Sequence, residues 1–244
     1  MIRRGLIWAF VALICGPATA AECFEIEHLG DGYSVCTVTD PANIQLWLRD
    51  DDGEVIGEFQ TLRALTKASG RQLEFAMNGG MYHEDRRPVG HFVSEGKEEM
   101  RVVTSEGPGN FGLLPNGVFC VSGQKAAVFE SRAFVASQPS CRIATQSGPM
   151  LVIDNKIHPR FMPDSTSRKR RNGVGVSRDG SIHFVISDGF VRFHDFATLF
   201  RDALDSPNAL FLDGSISRLY APQLGRDDTG VRMGPIIGEV LPSP

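Results

Sequence analysis

The sequence lacks the signatures of three common groups of enzymes. It contains no Gly-x-Ser-x-Gly elbow, no Walker-type phosphate loop and no His-x-x-x-His pair among its six histidines. Those chemistries need a nucleophile on a sharp turn, a glycine-rich loop ending in Lys, or two metal ligands on one helix face. The sequence therefore argues against a serine hydrolase of that type, nucleotide triphosphate chemistry and a paired-histidine zinc site.

Positive charge is also scarce. The chain has 25 Lys and Arg against 29 Asp and Glu, for a net charge of −4. General nucleic-acid binding depends on positive charge placed opposite phosphates, so no nucleic-acid partner is expected. Low-complexity linkers and long charged runs are missing as well, and the chain is long enough to bury one substantial core. We expect a single domain over residues 21–244.

The first twenty residues have the layout of a secretory signal peptide. Arg3 and Arg4 precede an apolar run over residues 6–15, and the segment ends in Ala18-Thr19-Ala20. The apolar run is too short to span a bilayer, and the small residues suit a peptidase. We expect a mature chain that begins near Ala21, is secreted or periplasmic in a bacterial cell envelope, and has no stable membrane insertion after cleavage.

Few cysteines remain once Cys15 leaves with the leader. The other four are Cys23, Cys36, Cys120 and Cys141, and no two of them have Cys-x-x-Cys spacing. An even number in an oxidising compartment predicts two disulfides rather than a metal site. Three connectivities are open, and pairing of sequence neighbours, Cys23–Cys36 and Cys120–Cys141, is our first expectation.

Helical spacing occurs in two segments, residues 58–69 and about 194–205. Phe59, Leu62 and Leu65 recur in the first, and Phe196, Leu199 and Phe200 begin the apolar stripe of the second. Most other segments have the composition of strands joined by turns. Expected hairpins include 90–96 with 100–107, the two halves of 110–123, and two strands joined by the turn at 178–180. This mixture predicts an α+β fold with largely antiparallel sheets and two principal helices.

The two predicted helices are followed by similar strands. "EFQTLRAL…QLEFAMNGG" matches "DFATLFRDAL…NALFLDGS" in its acid-Phe-x-Thr-Leu start and in the Asn-Gly or Asp-Gly that ends each strand. Two unrelated amphipathic helices would also show part of this pattern. If the similarity is a true repeat, the fold has a pseudo-twofold core in which Asn78 and Asp213 face each other across a cleft.

Polar residues beside glycine follow several apolar runs. They occur at residues 78–80, 107–117, 146–149, 171–173, 188–189 and 213–215. Each alone is adequately explained as a turn, but six such corners after strands are expected to meet on one rim. His91, after the first corner, is the histidine most suited to line a site. The basic stretch 167–173 is either a solvated loop or a small phosphate-binding patch.

Five of these stretches, in this order, resemble the phosphodiester glycosidase family. They are "AMNGGMY…PVG", "GNFGLLPNGVF", "QSGPMLV", "RNGVGVSRDGSIHFVISD" and "FLDGSIS", and together they cover residues 75–217. The resemblance implies hydrolysis of the sugar C1–O bond of a sugar-1-phosphodiester. One departure concerns the last stretch, where the family usually has Asp-Gly-Gly-Gly-Ser and this chain has Asp213-Gly214-Ser215-Ile216-Ser217, which leaves less room for a ligand.

The resemblance and the corners together give a set of expected site residues. The leaving group is an ionised phosphate monoester, so the site needs charge stabilisation and a carboxylate rather than a strong acid. We assign Arg171 to the phosphate and Asp213 to base or nucleophile, with Asp188 as its alternate. The expected substrate-binding residues are Asn78, Gly79, Gly80, His91, Gln146, Ser147, Gly148, Asn172, Gly214 and Ser215. No cofactor is predicted with certainty; a structural Ca²⁺ is an option, although no calcium-loop signature is present.

Two other functions stay open at this point. A non-catalytic envelope module would bind a glycan or anionic polymer through the same cleft. A phosphodiesterase would cut P–O instead of C–O, but it would need two metals about 4 Å apart, and paired histidines are missing. The expected partner is accordingly a sugar-phosphate small molecule or an envelope glycan.

Overall fold

The computed structural model describes residues 20–214 and 216–243. All of the predicted leader except Ala20 lies outside these residues, as does Ser215. No helix among the described residues has both the length and the apolar character needed to cross a membrane.

The described residues form seventeen strands and three α-helices. In chain order they are β1 Glu22–His28, β2 Asp31–Val38, β3 Ile44–Trp47, α1 Phe59–Ala68, β4 Arg71–Asn78, β5 Phe92–Ser94, β6 Lys97–Met100, β7 Gly117–Ser122, β8 Lys125–Glu130, α2 Ser131–Ser137, β9 Ile143–Ser147, β10 Met150–Ile153, β11 Lys156–Ile157, β12 Asn172–Val176, β13 Ile182–Ser187, α3 Phe193–Thr198, β14 Asn208–Asp213, β15 Leu219–Ala221, β16 Arg226–Asp227 and β17 Ile236–Pro242. Single 3₁₀ turns occupy Pro41–Asn43 and Pro222–Leu224.

The strands form three antiparallel sheets. Sheet A has seven strands in the order β1-β2-β13-β12-β14-β10-β11, sheet B has five in the order β16-β15-β4-β17-β3, and sheet C has five in the order β6-β5-β9-β7-β8. Neighbouring strands pair antiparallel, as in the β12–β13 hairpin predicted from its turn. The expected α+β class is confirmed.

Three phenylalanines lie where the sheets meet. Phe184 of β13 contacts Phe75 of β4 and Phe119 of β7, with ring centroids 5.1 and 5.8 Å apart, and all three are fully buried. Each comes from a different sheet. Aromatic contacts of this kind stabilise beyond the area that they bury, so this cluster fixes the sheets relative to one another.

Both predicted helices are present and pack on sheets, but Leu65 of the predicted α1 stripe is 39% exposed and Thr66 is buried instead. In α1, Phe59 and Leu62 are buried against sheet B, and Gly70 after the helix has a φ of +72°, which suits glycine. In the second segment α3 gives way to a π-helical turn at Leu199–Ala203, with Phe196 and Phe200 buried on sheet A. The short helix α2 was not predicted.

Two predicted hairpins around residues 90–123 are wrong in detail. The partner of β5 is β6 at Lys97–Met100, instead of residues 100–107. The segment 110–116 is a loop and forms no strand, so β7 pairs with β8 and β9 only. The loop folds back on itself so tightly that a Cβ on Gly112 would lie 1.9 Å from the Gly107 carbonyl oxygen. Glycine at that contact and Pro115, which lacks an N–H, are incompatible with a regular ladder.

The expected disulfide pairing is confirmed. Cys23 and Cys36 lie opposite each other on β1 and β2, and Cys120 of β7 is bonded to Cys141 after α2. Each closes a short segment, with sequence separations of 13 and 21.

The phenylalanine junction gives a test of the fold. Phe184→Ala removes the central ring, and we expect the free energy of unfolding to fall by about 3–5 kcal/mol through lost burial and a cavity. Phe190→Ala is the matched control because that ring is 67% exposed, and it should change stability by less than about 0.5 kcal/mol. Urea unfolding of both variants measures this. Equal losses would show that the junction is not a stability centre.

Candidate active site

Asn78 and Asp213 meet directly. Asn78 ends β4 in sheet B and Asp213 ends β14 in sheet A, and the Asn78 Nδ2 donates to Asp213 Oδ2 at 3.3 Å. The Asn78 Oδ1 accepts the backbone N–H of Arg218 at 2.8 Å. The predicted proximity of these two strand ends is therefore confirmed, although the side chains touch instead of facing each other across a cleft. The pseudo-twofold relation between the two segments stays a prediction.

Asn172 joins the same two strand ends from the first position of β12. Its Nδ2 donates to the Asn78 carbonyl at 3.0 Å, and its Oδ1 accepts the Asp213 backbone N–H at 2.8 Å. The residue is fully buried. Because a buried amide costs free energy unless its donors and acceptor are used, these bonds fix the position of both partners.

The Asp213 carboxylate is held by hydrogen bonds. Its Oδ1 accepts the Gly214 N–H at 2.6 Å, while the Ser217 hydroxyl donates to the Asp213 carbonyl at 2.9 Å. The residue is partly exposed. A carboxylate oriented in this way, on a partly exposed residue, is a candidate base or nucleophile.

Tyr82 is a nearby residue that the sequence analysis missed. Burial, and secondly the charge of Asp213, raise the pKa of its phenol. Its hydroxyl is buried and has no hydrogen-bond partner among residues 20–214 and 216–243. The only sign of its role in the sequence is its position just after "NGGM". The path of the chain between β4 and β5 brings Tyr82 toward Asp213, and that path could not be read from the sequence.

A cleft of about 600 Å³ lies beside this cluster. Its polar wall includes Arg170, Asp188, Ser217 and Arg218. Phe190 and Val231, 67% and 61% exposed, supply apolar surface. Ile216 also lines the cleft. The cleft therefore offers cationic groups and apolar surface next to the Asp213 cluster.

Asp188 lines the cleft but is already paired. Its Oδ1 lies 3.0 Å from Arg226 Nη1 and accepts the Ser34 hydroxyl at 3.0 Å. Arg226 also contacts Asp228 at 2.6 Å. This network orients Asp188 and neutralises part of its charge, which makes Asp188 less suited to act as a base.

Arg171 does not reach the cleft. Its guanidinium is buried over the ring of Phe193, 3.5 Å from the centroid, and donates to the Val191 carbonyl at 3.0 Å. Burial lowers its pKa to about 10. Successive side chains in extended backbone point to opposite sides, so it is Arg170 that lines the cleft. The structure therefore gives no support to a phosphate contact by Arg171 and offers Arg170 instead.

Gln146 and His91 belong to a second, buried polar centre in sheet C. The Gln146 amide accepts the N–H groups of His91 and Val103, at 3.0 and 2.9 Å, and donates to Ser131 at 2.8 Å. The His91 ring donates to the Met100 carbonyl at 2.9 Å. These bonds hold loop 101–116 against the sheet. A sugar contact by either side chain is not supported by this arrangement.

The remaining predicted residues shape the backbone around the cluster. The Ser147 hydroxyl donates to the Leu212 carbonyl at 2.7 Å, one residue before Asp213. The Gly79 N–H donates to Pro235 at 2.8 Å, so it is used within the protein. Gly80 has a φ of +154°, and a Cβ there would lie 2.6 Å from Thr145 Oγ1. At Gly148 a Cβ would lie 2.7 Å from Asn116.

The described residues contain no group of three or more His, Cys, Asp or Glu side chains placed to hold a metal ion. The structure therefore identifies no ligand set for the calcium ion considered from the sequence.

The chain thus combines an antiparallel α+β fold with an aspartate held by buried amides beside a cleft that contains two arginines. The sequence profile of the phosphodiester glycosidase family matches residues 71–231, and the chain belongs to that family. An uncharacterized protein of Escherichia coli (strain K12), YigE, is 36% identical over 225 residues, which is 90% of this chain and 87% of YigE.

Solved structures share the fold at low identity. The catalytic domain of zebrafish N-acetylglucosamine-1-phosphodiester alpha-N-acetylglucosaminidase, auto-inhibited by its pro-peptide, superposes with a TM-score of 0.65 at 13% identity, covering 93% of this chain and 84% of that one. A hypothetical protein from Synechocystis gives 0.57 at 15% identity, covering 91% and 62%. A putative exported protein from Burkholderia pseudomallei gives 0.53 at 12% identity, covering 86% and 74%.

The Asn172 bridge can be tested by Asn172→Asp. The change replaces a donor with a buried carboxyl facing the Asn78 carbonyl, so the folded-state pKa of the introduced group is raised. Such a group costs little stability below its unfolded pKa of about 3.9, and the cost grows as pH rises. We expect a loss of about 3 kcal/mol or more at pH 8 and a smaller loss at pH 5, measured by urea unfolding.

The matched control for this variant is Asn208→Asp. Asn208 is the first residue of β14, at the opposite end of that strand from Asp213. The Asn208 Oδ1 accepts the Asp154 N–H at 3.1 Å, and a carboxylate can keep that bond. A similar pH-dependent loss in both variants would contradict the role assigned to Asn172.

Proposed function

We propose that the chain is an exported hydrolase that cleaves the sugar C1–O bond of a sugar-1-phosphodiester. The observation that carries this proposal is the Asp213 carboxylate, fixed by Asn78 and Gly214 next to a cleft that contains Arg170 and Arg218. Family membership supports the reaction class, and the zebrafish relative is named for cleavage of this kind of bond.

The site has a cation for the phosphate and a carboxylate for the sugar carbon, which are the two groups that the reaction requires. The leaving phosphate is already ionised, so it needs cations and not a proton donor. Arg170 contacts the phosphate from the cleft wall, and Asp213 acts at C1 as nucleophile or through water as base. The raised pKa of Tyr82 keeps its buried phenol protonated and uncharged within the electrostatic range of Asp213.

The cleft also has surface for the sugar. Phe190 and Val231 are exposed beside the arginines, and an aromatic ring next to polar groups is a common surface for a sugar face. Arg218 is buried with its guanidinium bonded to the Val231 carbonyl, and burial lowers its pKa. It supports the wall of the cleft and adds positive potential there.

Export is part of the proposal. The two disulfides suit an oxidising compartment, the first twenty residues have the layout of a leader, and the Burkholderia relative is described as a putative exported protein. We place the protein in the bacterial envelope or outside the cell.

Replacement of the carboxylate tests the central assignment. We expect Asp213→Asn to reduce kcat at least about 100-fold on an N-acetylglucosamine-1-phosphodiester, with binding of the substrate retained. Asp205→Asn is the control, since Asp205 precedes β14 at its opposite end and is exposed in a pair with Arg178. Release of reducing sugar measures turnover. Undiminished turnover in Asp213→Asn would contradict the assignment.

The bond that breaks is identified by hydrolysis in ¹⁸O-labelled water. Label on the sugar is the expected result, because water attacks C1. Label on the phosphate would make the protein a phosphodiesterase. Binding without turnover by the unmodified protein, across a set of sugar phosphodiesters, would instead indicate the envelope binding module.

A second substitution tests the phosphate contact. We expect Arg170→Gln to lower kcat/KM for a phosphodiester about 10- to 100-fold, because a charge-assisted hydrogen bond is lost. Arg178→Gln removes the same charge from the exposed β12–β13 turn and should leave kcat/KM unchanged. An equal effect of both substitutions would indicate general electrostatics and not a contact.

A further inference from the structure

The backbone nitrogen of Ala21 is bonded to a buried carboxyl. It donates to Glu239 Oε2 at 2.5 Å, and the two residues are 218 positions apart in sequence. Ala21 is 3% exposed and Glu239 is fully buried in β17. A carboxylate normally enters a protein core only with a charged partner or several hydrogen bonds, so a single backbone N–H is too little for this one.

The surroundings of Glu239 leave donors and acceptors unused. Its Oε1 and the Nδ2 of Asn43 are both buried and lack a hydrogen-bond partner among residues 20–214 and 216–243. The Asn43 amide is near enough to lower the Glu239 pKa but lies outside hydrogen-bonding geometry. The Glu239 Oε1 can thus accept a further hydrogen bond.

The charges that act on Glu239 have the same sign as its own. The pKa of this carboxyl is raised to about 7, chiefly by burial and also by the charges of Glu74 of β4 and Asp40 before the Pro41–Asn43 turn, against a lowering by the Ala21 N–H. Both are carboxylates, and the other neighbours on the packed elements, Asn43 and the Ala21 N–H, are uncharged. Among residues 20–214 and 216–243, no cation acts on the Glu239 carboxyl.

Hydrogen bonds also hold the start of β1 in place around this point. Gln223 Nε2 donates to the Ala21 carbonyl at 2.8 Å, and Gln223 Oε1 accepts the Cys23 N–H at 2.8 Å. Ala20, the preceding residue, is exposed. The chain therefore passes from solvent at Ala20 to a buried, hydrogen-bonded position at Ala21. This change comes immediately after the Ala18-Thr19-Ala20 sequence.

We propose that a signal-peptidase-type enzyme hydrolyses the Ala20–Ala21 peptide bond and that the new α-ammonium of Ala21 forms a buried ion pair with Glu239. Water supplies the oxygen of the Ala20 carboxylate, and the amine of Ala21 takes up a proton to become the cation that the site lacks. An ammonium has three N–H donors where the peptide group has one, so it can donate a hydrogen bond to Glu239 Oε1 as well as to Oε2.

The consequence is that removal of the leader stabilises the fold. The pair links the start of β1 in sheet A to β17 in sheet B, far apart in sequence. A chain with one residue more would place its ammonium in solvent and leave Glu239 with the backbone N–H alone. The inference concerns the mature N-terminus and does not depend on the glycosidase activity.

The first test identifies the N-terminus. The full chain, with its own leader, is expressed in a bacterium, and the exported protein is analysed by intact mass and by its N-terminal peptide. A chain that begins at Ala21 is expected. A chain that begins at Thr19 or Glu22, or that keeps the leader, would overturn the proposal.

The second test compares a chain that begins at Ala21 with one that keeps Ala20 in front of it. At pH 7 the first should melt higher by about 5 °C or more, as expected for loss of a buried ion pair in a domain of this size. The difference should vanish in the Glu239→Gln background. Equal melting temperatures of the two unsubstituted chains would overturn the proposal.

The pH dependence of this difference has a definite sign. In the extended chain the folded pKa of Glu239 is raised, so its stability falls as pH rises from about 4.5 to 7. The ammonium prevents that loss in the chain beginning at Ala21. The amine of the unfolded chain titrates near pH 8 and pairing raises its folded pKa above that, so its contribution is complete below about pH 8 and is lost as pH rises from there through the raised value. The difference should therefore peak near pH 7–8; a difference independent of pH would contradict an ion pair.

A third measurement avoids reliance on Glu239→Gln, which could unfold the protein. The α-amine of each unsubstituted chain is acylated under native conditions at pH 7, and the labelled N-terminal peptide is followed by mass spectrometry. A paired, buried amine reacts only after local opening, so we expect labelling at least about tenfold slower than in the extended chain. Equal rates would contradict the pairing.

Discussion

The site depends on one buried side chain, the amide of Asn172. It has one donor group and one acceptor on the same planar group, and it uses the first on Asn78 of sheet B and the second on Asp213 of sheet A. No aliphatic residue can do this, and a carboxylate would lack the donor. Because both bonds are buried, breaking either exposes an unpaired polar group to the core, so the two strand ends keep a fixed distance.

The same constraint explains why the chain has two polar centres with different properties. Gln146 also bridges backbone groups, but its amide is used up in holding loop 101–116 against sheet C. Around Asp213, by contrast, the Asn172 amide holds the backbone and the Asn78 amide donates to the carboxylate, and the residue is partly exposed. The centres are coupled through Thr145, whose hydroxyl donates to the Gly79 carbonyl at 2.6 Å, and through Ser147. A rigid buried network thus supports an accessible one.

The sequence predicts the parts of this arrangement that follow from local pattern. Periodicity placed α1 and the α3 segment, turn residues placed β12 and β13, and the similar ends of β4 and β14 brought Asn78 and Asp213 together. The sequence did not predict which side of the backbone a given side chain lies on. Arg170 and Arg171 are indistinguishable by composition, yet one lines the cleft and the other is buried over Phe193. Tyr82 was missed because only the fold brings it near Asp213.

The two arginines also show how the fold distributes positive charge. A buried guanidinium must find aromatic faces and carbonyls to offset its desolvation, and Arg171 finds Phe193 and Val191. It thereby anchors the start of β12, which positions Asn172, its neighbour. Arg170, on the other side of the same backbone, donates to the Asp188 carbonyl and lines the cleft. Arg171 thus supports the strand that carries Asn172, while Arg170, the residue before it, contributes its charge to the cleft.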